Sequence, residues 1–294
     1  MNVIQTEEGI LLQDIEHFHP GHIFECGQAF RWNWDGTGYT GVVQNKVLRI
    51  FQRGRHVLLQ DASLEDYHIL WKHYFDLDKD YGLIKKSLSR DRILAKAMEY
   101  GWGIRILNQD PFETLISFII SSNNGIKRIK GIIENLSKRF GEKISWKGRE
   151  VFRFPKAESL AAASIEDLLS CGCGYRAPYV KKTASMVADG KLDLDRLKKC
   201  QYEEAFELLL TCSGVGPKVA DCVLLFSLEK GEAFPIDVWI KRIMVALYFG
   251  REVSAKELKA FAAERFGPLA GIAQQYLFYY ARERKIGQKK QRDG

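Results

Sequence analysis

The chain has 294 residues, of which 46% are hydrophobic, 12% aromatic and 28% charged. This is an ordinary composition for a soluble globular protein, and the length suffices for one large or two medium domains. No apolar run reaches transmembrane length and the first residues lack a signal-peptide pattern, so we expect an intracellular protein without a membrane partner, cytoplasmic in a prokaryote and nuclear in a eukaryote. The net charge of +7 favours a polyanionic partner without requiring one.

The first 94 residues predict a β-rich domain. Residues 39–52 and 56–62 alternate apolar with polar side chains, contain β-branched and aromatic residues, and are separated by glycine-containing turns. Antiparallel strands joined by short turns fit this pattern best. We therefore predict an antiparallel β-sheet domain over residues 1–94.

The periodicity becomes helical from Asp91 onward, and residues 95–294 predict a larger, all-helical domain. The fold class predicted is therefore α+β, with no internal repeat and no long linker. The predicted helical segments are residues 92–100, 111–122, 126–140, 165–171, 177–190, 202–212, 217–230, 237–250, 255–267 and 269–285.

A turn between two of these helices is a candidate phosphate-binding hairpin. Gly214, Val215 and Gly216 separate the helical segments, and Pro217 follows at a first-turn position where proline is tolerated. The glycines permit positive φ and close approach of a ligand to backbone N–H groups. A Gly-x-Gly sequence is more often a simple helix connection, so this motif alone leaves its function open.

Two residues beside the hairpin are candidates for catalysis. Lys218 opens the second helix, where the partial positive charge disfavours an ammonium and thereby favours a nucleophilic amine. Asp237 precedes the next helix, where its carboxylate can cap backbone N–H groups and remain ionised. The ordinary alternatives are an exposed lysine and a structural N-cap. An amine and a carboxylate beside a backbone-binding turn indicate covalent chemistry on nucleic acid.

The chain resembles the helix-hairpin-helix DNA glycosylases, and within them the 8-oxoguanine DNA glycosylase family. The resemblance extends from Cys26-Gly-Gln-Ala-Phe-Arg-Trp32 to Ala273-Gln-Gln-Tyr-Leu-Phe278, and residues 103–131 and 173–180 match that family specifically. It implies that Lys218 attacks the sugar C1′, forms a Schiff base and leads to β-elimination. It also implies that Asp237 assists departure of the base and helps to hold the lysine.

The resemblance implies a base pocket and a second group of residues that contact the remaining DNA. In the pocket, the carbonyl of Gly27 meets the N7 hydrogen of 8-oxoguanine, Gln274 reads its Watson–Crick edge, and Cys222 and Phe278 form the two sides of the slot. Such a slot is coherent, because chemistry at C1′ of a duplex requires an extruded nucleotide. The residues implied to fill the gap and read the widowed cytosine are Asn123, Arg128, Tyr175 and Arg176.

The chain departs from the family pattern at three positions. Ser213 precedes Gly214 where proline is usual, Trp239 stands where better-known members have histidine, and Gly125 replaces a third asparagine. The serine leaves the turn less rigid. The tryptophan replaces the residue to which the family pattern assigns a phosphate contact, and the glycine has no interpretation.

No metal site held by side chains is predicted. His17, His19 and His22 lack cysteine or carboxylate support, and the six scattered cysteines fit free thiols in a reducing compartment. The resemblance implies no organic cofactor, although backbone carbonyls of the hairpin could bind a monovalent cation. A monomer is expected for this fold.

The leading hypothesis is a bifunctional glycosylase and abasic-site lyase acting on double-stranded DNA that contains 8-oxoguanine, preferably opposite cytosine. Two alternatives stay open: the same fold directed at alkylated purines, and a non-catalytic duplex-binding module. Lys218 argues against a monofunctional relative that activates water with aspartate alone. The hypothesis of a non-catalytic binding module does not explain the presence of Lys218, Asp237 and the slot residues.

Overall fold

The computed structural model describes residues 1–287, and its amino-terminal part is an antiparallel six-stranded sheet. The strands follow the order β1-β2-β6-β5-β4-β3, and all neighbouring pairs are antiparallel. Their bounds are β1 (Asn2–Thr6), β2 (Gly9–Gln13), β3 (Trp32–Trp34), β4 (Tyr39–Val43), β5 (Lys46–Arg53) and β6 (His56–Gln60).

One face of this sheet is apolar and buried. Alternate residues of β5 and β6, Leu48 with Ile50 and Val57 with Leu59, point into a core of their own. Trp71 and other aromatic side chains that follow the strands pack in the same core. The alternation of the strand sequences therefore fixes which face is covered.

Helices form the rest of the chain, together with one β-hairpin. One short helix, α1 (Pro20–Phe24), lies between β2 and β3. Three more short helices follow β6: α2 (Leu64–Asp66), α3 (Lys72–Tyr74) and α4 (Tyr81–Leu88). Next come α5 (Arg92–Tyr100), α6 (Pro111–Ser121), α7 (Ile126–Phe140), the hairpin β7 (Lys143–Trp146) and β8 (Arg149–Phe152), α8 (Ala157–Ala162), α9 (Ile165–Ser170), α10 (Ala177–Ala188) and α11 (Leu194–Lys199). The last helices are α12 (Tyr202–Leu210), α13 (Pro217–Ser227), α14 (Val238–Met244), α15 (Ala255–Phe266) and α16 (Ala270–Glu283).

Helix α13 lies at the centre of the helical part. Every residue from Val219 to Ser227 is buried, so the helix is covered on all sides except at its first turn. Its neighbour α6 is also almost entirely buried, and Phe118 of α6 stacks on Phe226 of α13 with ring centroids 5.5 Å apart. This packing brings the end of α6 to the start of α13.

The predicted class, an amino-terminal antiparallel sheet followed by a larger helical part, is confirmed. The β-rich interpretation extends too far, because α2, a π-helical turn (Tyr67–Trp71), α3 and α4 lie between residues 64 and 88. The hairpin β7–β8 interrupts the helical part without having been predicted. Both differences involve elements of eight residues or fewer, which are too short to show a clear apolar period. The domain division at residue 94 stays a prediction.

In the part of the chain that the structure describes, none of the helices combines the length and the apolar character that spanning a membrane would need.

Candidate active site

A tight turn joins α12 to α13 in a helix-hairpin-helix arrangement. Gly214 has φ of 81°, and the N–H of Val215 donates to the carbonyl of Cys212 at 3.2 Å. The hydroxyl of Thr183 on α10 donates to the Ser213 carbonyl at 3.1 Å. The exposed Gly216 then takes extended backbone as the N-cap of α13. Hydrogen bonds therefore hold the backbone of the turn on both sides of Gly214, whereas Gly216 is exposed.

Alanine substitutions should separate the two glycines. Gly214→Ala is expected to destabilise the protein by about 1–3 kcal/mol, because it places a side chain at positive φ. The new Cβ would also lie 2.8 Å from the Cβ of Tyr179. Gly216→Ala is the matched control, since its Cβ would meet no heavy atom within 4 Å. Urea unfolding measures both, and equal stabilities would contradict this account.

Lys218 lies in the first turn of α13 and reaches the end of α6. Its Nζ donates to the Ser121 hydroxyl at 3.3 Å and lies 4.9 Å from the centroid of the Phe118 ring. The side chain is half-buried. The packing of α6 on α13 therefore holds a primary amine at the edge of the helical core, with a hydroxyl as its hydrogen-bond partner.

Asp237 is the N-cap of α14. Its Oδ1 accepts from the N–H groups of Trp239 at 3.0 Å and Ile240 at 2.8 Å. Burial raises the pKa of this carboxyl above its ordinary value, while the Ile240 N–H and the charge of Lys218 oppose the shift. The expectation that capping alone sets its ionisation is therefore incomplete, because desolvation is the larger effect.

Cys222 lies one helical turn after Lys218 and is buried. Burial raises the pKa of its thiol to about 12, and the positive charge of Lys218 opposes that shift while Asp237 adds to it. The cysteine therefore stays a neutral thiol near neutral pH. The structure thus brings Lys218, Asp237 and Cys222 into one electrostatically coupled group.

Helix α16 carries two of the residues predicted for the base pocket. Gln274 and Phe278 are four residues apart and so share a helical face. The Gln274 amide donates to the carbonyl of Pro235, two residues before Asp237, at 2.9 Å. Its Oε1 is buried and has no hydrogen-bond partner among residues 1–287. A Cβ on Gly27 would lie 3.2 Å from the Phe278 ring. Gln274 therefore lies against the loop that presents Asp237, and Phe278 on the same helix lies against Gly27.

Arg282 joins the Gly27 segment to α16. Its guanidinium donates to the carbonyl of Glu25, and its carbon Cζ lies 5.4 Å from the Phe278 ring centroid. Its Nη1 is buried and, within the described part of the chain, has no hydrogen-bond partner. Arg282 thus contacts both the segment that contains Gly27 and the ring of Phe278.

The other predicted group lies at the loop after α6. The exposed Asn123 has φ of 50°, and its carbonyl accepts from the Arg176 guanidinium at 3.1 Å. Arg176 also donates to the Ser122 carbonyl, and its Cζ lies 4.3 Å from the ring centroid of Tyr175, which is 58% exposed. Asn123, Tyr175 and Arg176 are therefore together, whereas Arg128 is exposed in the first turn of α7.

Three residues of this region were missed in the sequence. Ser121 and Phe118 contact Lys218, and Arg282 supports the Gly27–Phe278 contact. Ser121 lies two residues before the predicted Asn123, and its position at the end of an apolar helical segment is the only sequence signal that it carries. Arg282 carried none, because an arginine near a helix end is ordinarily solvated.

The three histidines near α1 have structural partners. His19 Nδ1 accepts from the His22 N–H, and His22 Nδ1 accepts from the Gly103 N–H, both at 3.2 Å. His17 Nδ1 lies 3.0 Å from Lys85 Nζ. Across residues 1–287, no group of three or more His, Cys, Asp or Glu side chains is arranged to hold a metal ion.

Two family models match the chain in succession. Residues 10–115 match the amino-terminal domain of 8-oxoguanine DNA glycosylase, and residues 116–268 match the HhH-GPD superfamily of base excision DNA repair proteins. The second match contains the hairpin, Lys218 and Asp237.

Individual proteins show the same similarity. The chain is 36% identical to "Probable N-glycosylase/DNA lyase" of Methanothermobacter thermautotrophicus over 76% of each chain. It is 33% identical to the N-glycosylase/DNA lyase of Saccharomyces cerevisiae over 76% of this chain and 66% of that one. The Clostridium acetobutylicum 8-oxoguanine glycosylase/lyase, solved with double-stranded DNA containing cytosine opposite 8-oxoguanine, superimposes with a TM-score of 0.94 and 43% identity. That match covers 97% of this chain and 99% of the other.

Proposed function

Because the chain belongs to the 8-oxoguanine DNA glycosylase/lyase family of the HhH-GPD superfamily, we propose that it excises 8-oxoguanine from duplex DNA through a Schiff base on Lys218. The activity of a DNA glycosylase and DNA lyase follows from the family. The observation that carries the finer proposal is the Lys218 amine, held at Ser121 and close enough to Asp237 to affect its pKa, with the Asp237 loop joined to α16 by the hydrogen bond from Gln274 to Pro235.

Excision begins with attack of the unprotonated Lys218 Nζ on C1′ of the extruded nucleotide. The N–C1′ bond of the new adduct forms as the glycosidic bond breaks, and the electrons of that bond leave with the base, which takes up a proton. The ionised Asp237 stabilises the positive charge that develops on the sugar. Opening of the sugar ring then converts the adduct into an imine between Nζ and C1′.

Strand cleavage follows from the same intermediate. The imine makes the C2′ hydrogens acidic, so loss of one C2′ proton forms an enamine, and its electrons expel the 3′ phosphate as the C3′–O bond breaks. Water hydrolyses the remaining imine and releases Lys218. One amine therefore serves both the glycosylase and the lyase steps.

Recognition of the base is proposed at Gly27 and Gln274. The buried, unpaired Oε1 of Gln274 supports this role, because the Watson–Crick edge of 8-oxoguanine presents N–H donors to such an acceptor. The Gly27 carbonyl would accept the N7 hydrogen that guanine lacks. Cys222 and Phe278 would enclose the ring, a neutral thiol being suited to an aromatic face.

The cytosine left behind is proposed to contact Asn123, Arg128, Tyr175 and Arg176. The cluster of Asn123, Tyr175 and Arg176 supports this assignment, because its arginine is already held by backbone carbonyls at the loop. Guanidinium and amide groups offer the donors and acceptors that match the pairing edge of cytosine.

We propose that the protein works as a monomer without an organic cofactor. A monovalent cation at the hairpin is also proposed, because such ions prefer oxygen ligands and the turn from Cys212 to Val215 offers backbone carbonyls. The Cys212 and Ser213 carbonyls each accept one hydrogen bond, which leaves a second lone pair on each oxygen.

Arg282→Met should reduce kcat/KM for 8-oxoguanine excision by about 10-fold, because loss of the link to Glu25 loosens Gly27 against Phe278. Methionine keeps an unbranched side chain but no charge. Arg284→Met is the control, since Arg284 is exposed near the same helix end. Single-turnover excision on a duplex with 8-oxoguanine opposite cytosine measures both, and equal losses would remove the special role of Arg282.

The proposed function is tested by incubating the wild-type protein with that duplex and borohydride. Reduction of the imine to an amine should leave a covalent protein–DNA adduct that a guanine–cytosine duplex does not form. An alkali-labile site without an adduct would replace the amine by water directed by Asp237. If neither product forms and the protein excises alkylated purines instead, its substrate is that class of damaged base and not 8-oxoguanine.

A further inference from the structure

The Lys218 amine contacts two side chains of one helix end. Phe118 and Ser121 lie three residues apart in the last turn of α6 and therefore face the same direction. The aromatic ring supports the amine at 4.9 Å, and the hydroxyl accepts from it at 3.3 Å. Together these two side chains form a cradle for Lys218.

The hydroxyl of Ser121 is oriented before it meets Lys218. Its Oγ donates to the Phe118 carbonyl at 2.7 Å, so its only proton is engaged within α6. The lone pairs of Oγ are then left for the N–H of Lys218. The hydroxyl therefore does not rotate freely about the Cβ–Oγ bond, and Oγ accepts a hydrogen bond in a fixed orientation.

A fixed acceptor determines where the reactive lone pair of the amine points. A neutral primary amine has two N–H groups and one lone pair, and rotation about the Cε–Nζ bond moves all three together. A hydrogen bond from one N–H to Ser121 removes most of that rotation. Unlike a carboxylate, a hydroxyl carries no negative charge that would favour the ammonium form.

We propose that Ser121 is the positioning residue of the nucleophile, orienting the Lys218 amine toward C1′ by accepting one of its N–H bonds. The proposal rests on Lys218 being the nucleophile, as proposed above. Ser121 itself touches neither the base nor C1′ in this role. It acts through Lys218, so its loss affects the rate of attack and leaves DNA affinity intact.

The test compares Ser121→Ala with Ser121→Thr and with the control Ser89→Ala, which removes the same type of hydroxyl-to-carbonyl hydrogen bond at the exposed end of α4. Borohydride trapping on the 8-oxoguanine–cytosine duplex gives the rate of imine formation, and fluorescence anisotropy gives the Kd. Ser121→Ala should trap about 10-fold more slowly with a Kd within about 2-fold of wild type. Threonine should restore most of the rate, because its hydroxyl can also bond the carbonyl three residues earlier. Ser89→Ala should trap at the wild-type rate.

The outcomes separate this proposal from the one on which it rests. If the wild type forms an adduct that Lys218→Gln abolishes while Ser121→Ala traps as fast as wild type, only the positioning role is wrong. A threonine variant as slow as alanine, with both folded by thermal unfolding, would also overturn it. If the wild type forms no adduct, the nucleophile assignment fails and the role of Ser121 falls with it.

Discussion

Lys218→Gln is expected to lower the rate of 8-oxoguanine excision by at least about 10⁴-fold and to abolish the borohydride-trapped adduct. Glutamine has a similar length and can still donate to the Ser121 hydroxyl, so the local packing of α6 on α13 is retained. What it lacks is a nucleophilic amine. Single-turnover assays with alkali treatment measure excision, and anisotropy measures DNA binding, which should remain.

The matched control is Lys256→Gln. Lys256 is exposed on α15, so this substitution removes the same charge away from the cradle at α6. Its excision rate should equal that of the wild type. Excision by Lys218→Gln at more than about a hundredth of the wild-type rate would make Lys218 dispensable for the first step and transfer that step to water.

Much of the fold could be predicted because long helices carry their own signal. The sequence period predicts α5 and α7 to the residue, at Arg92–Tyr100 and Ile126–Phe140, since each has a clear apolar stripe and, for α5, an aspartate cap. The helices α2, α3 and α4 are too short for such a stripe. Tyr74 of α3 packs in the aromatic core under the sheet, whereas Leu88 of α4 packs in the core of the helical part, and only the tertiary structure defines these two cores.

Some residues of the candidate site can likewise be predicted from the local sequence, and others cannot. Gly214, Lys218 and Asp237 occupy local positions, a turn and two helix starts, that the sequence reveals by itself. Ser121 and Arg282 form hydrogen bonds with partners 97 and 257 residues away, Lys218 and Glu25. Nothing in the local pattern of either residue predicts such a pairing.

The pocket and cytosine-contacting residues were identified through the family resemblance, and their roles stay predictions. The structure adds geometry to them: Gly27 lies against Phe278, Gln274 has an unpaired acceptor, and Arg176 is held at Asn123. A resemblance assigns roles residue by residue, whereas contacts show which side chains hold those residues in place.

Asp237→Asn is expected to slow excision by about 10²–10³-fold, because it removes a negative charge at the position where positive charge develops on the sugar. Asparagine remains a good N-cap for α14, so stability should change little. The effect should be smaller on a duplex with a preformed abasic site, since the base has already left. Measuring both substrates under single-turnover conditions separates loss of the base from β-elimination.

The pH dependence gives a second signature of the same carboxylate. Burial raises the pKa of Asp237 in the folded protein, so its charged form is lost at a higher pH than for a free aspartate. Excision should therefore fall as the pH drops through this raised pKa, and the acid limb should disappear in Asp237→Asn. Asp193→Asn, at the exposed N-cap of α11, should keep both the rate and the limb. An acid limb that persists unchanged in Asp237→Asn would assign that titration to another group.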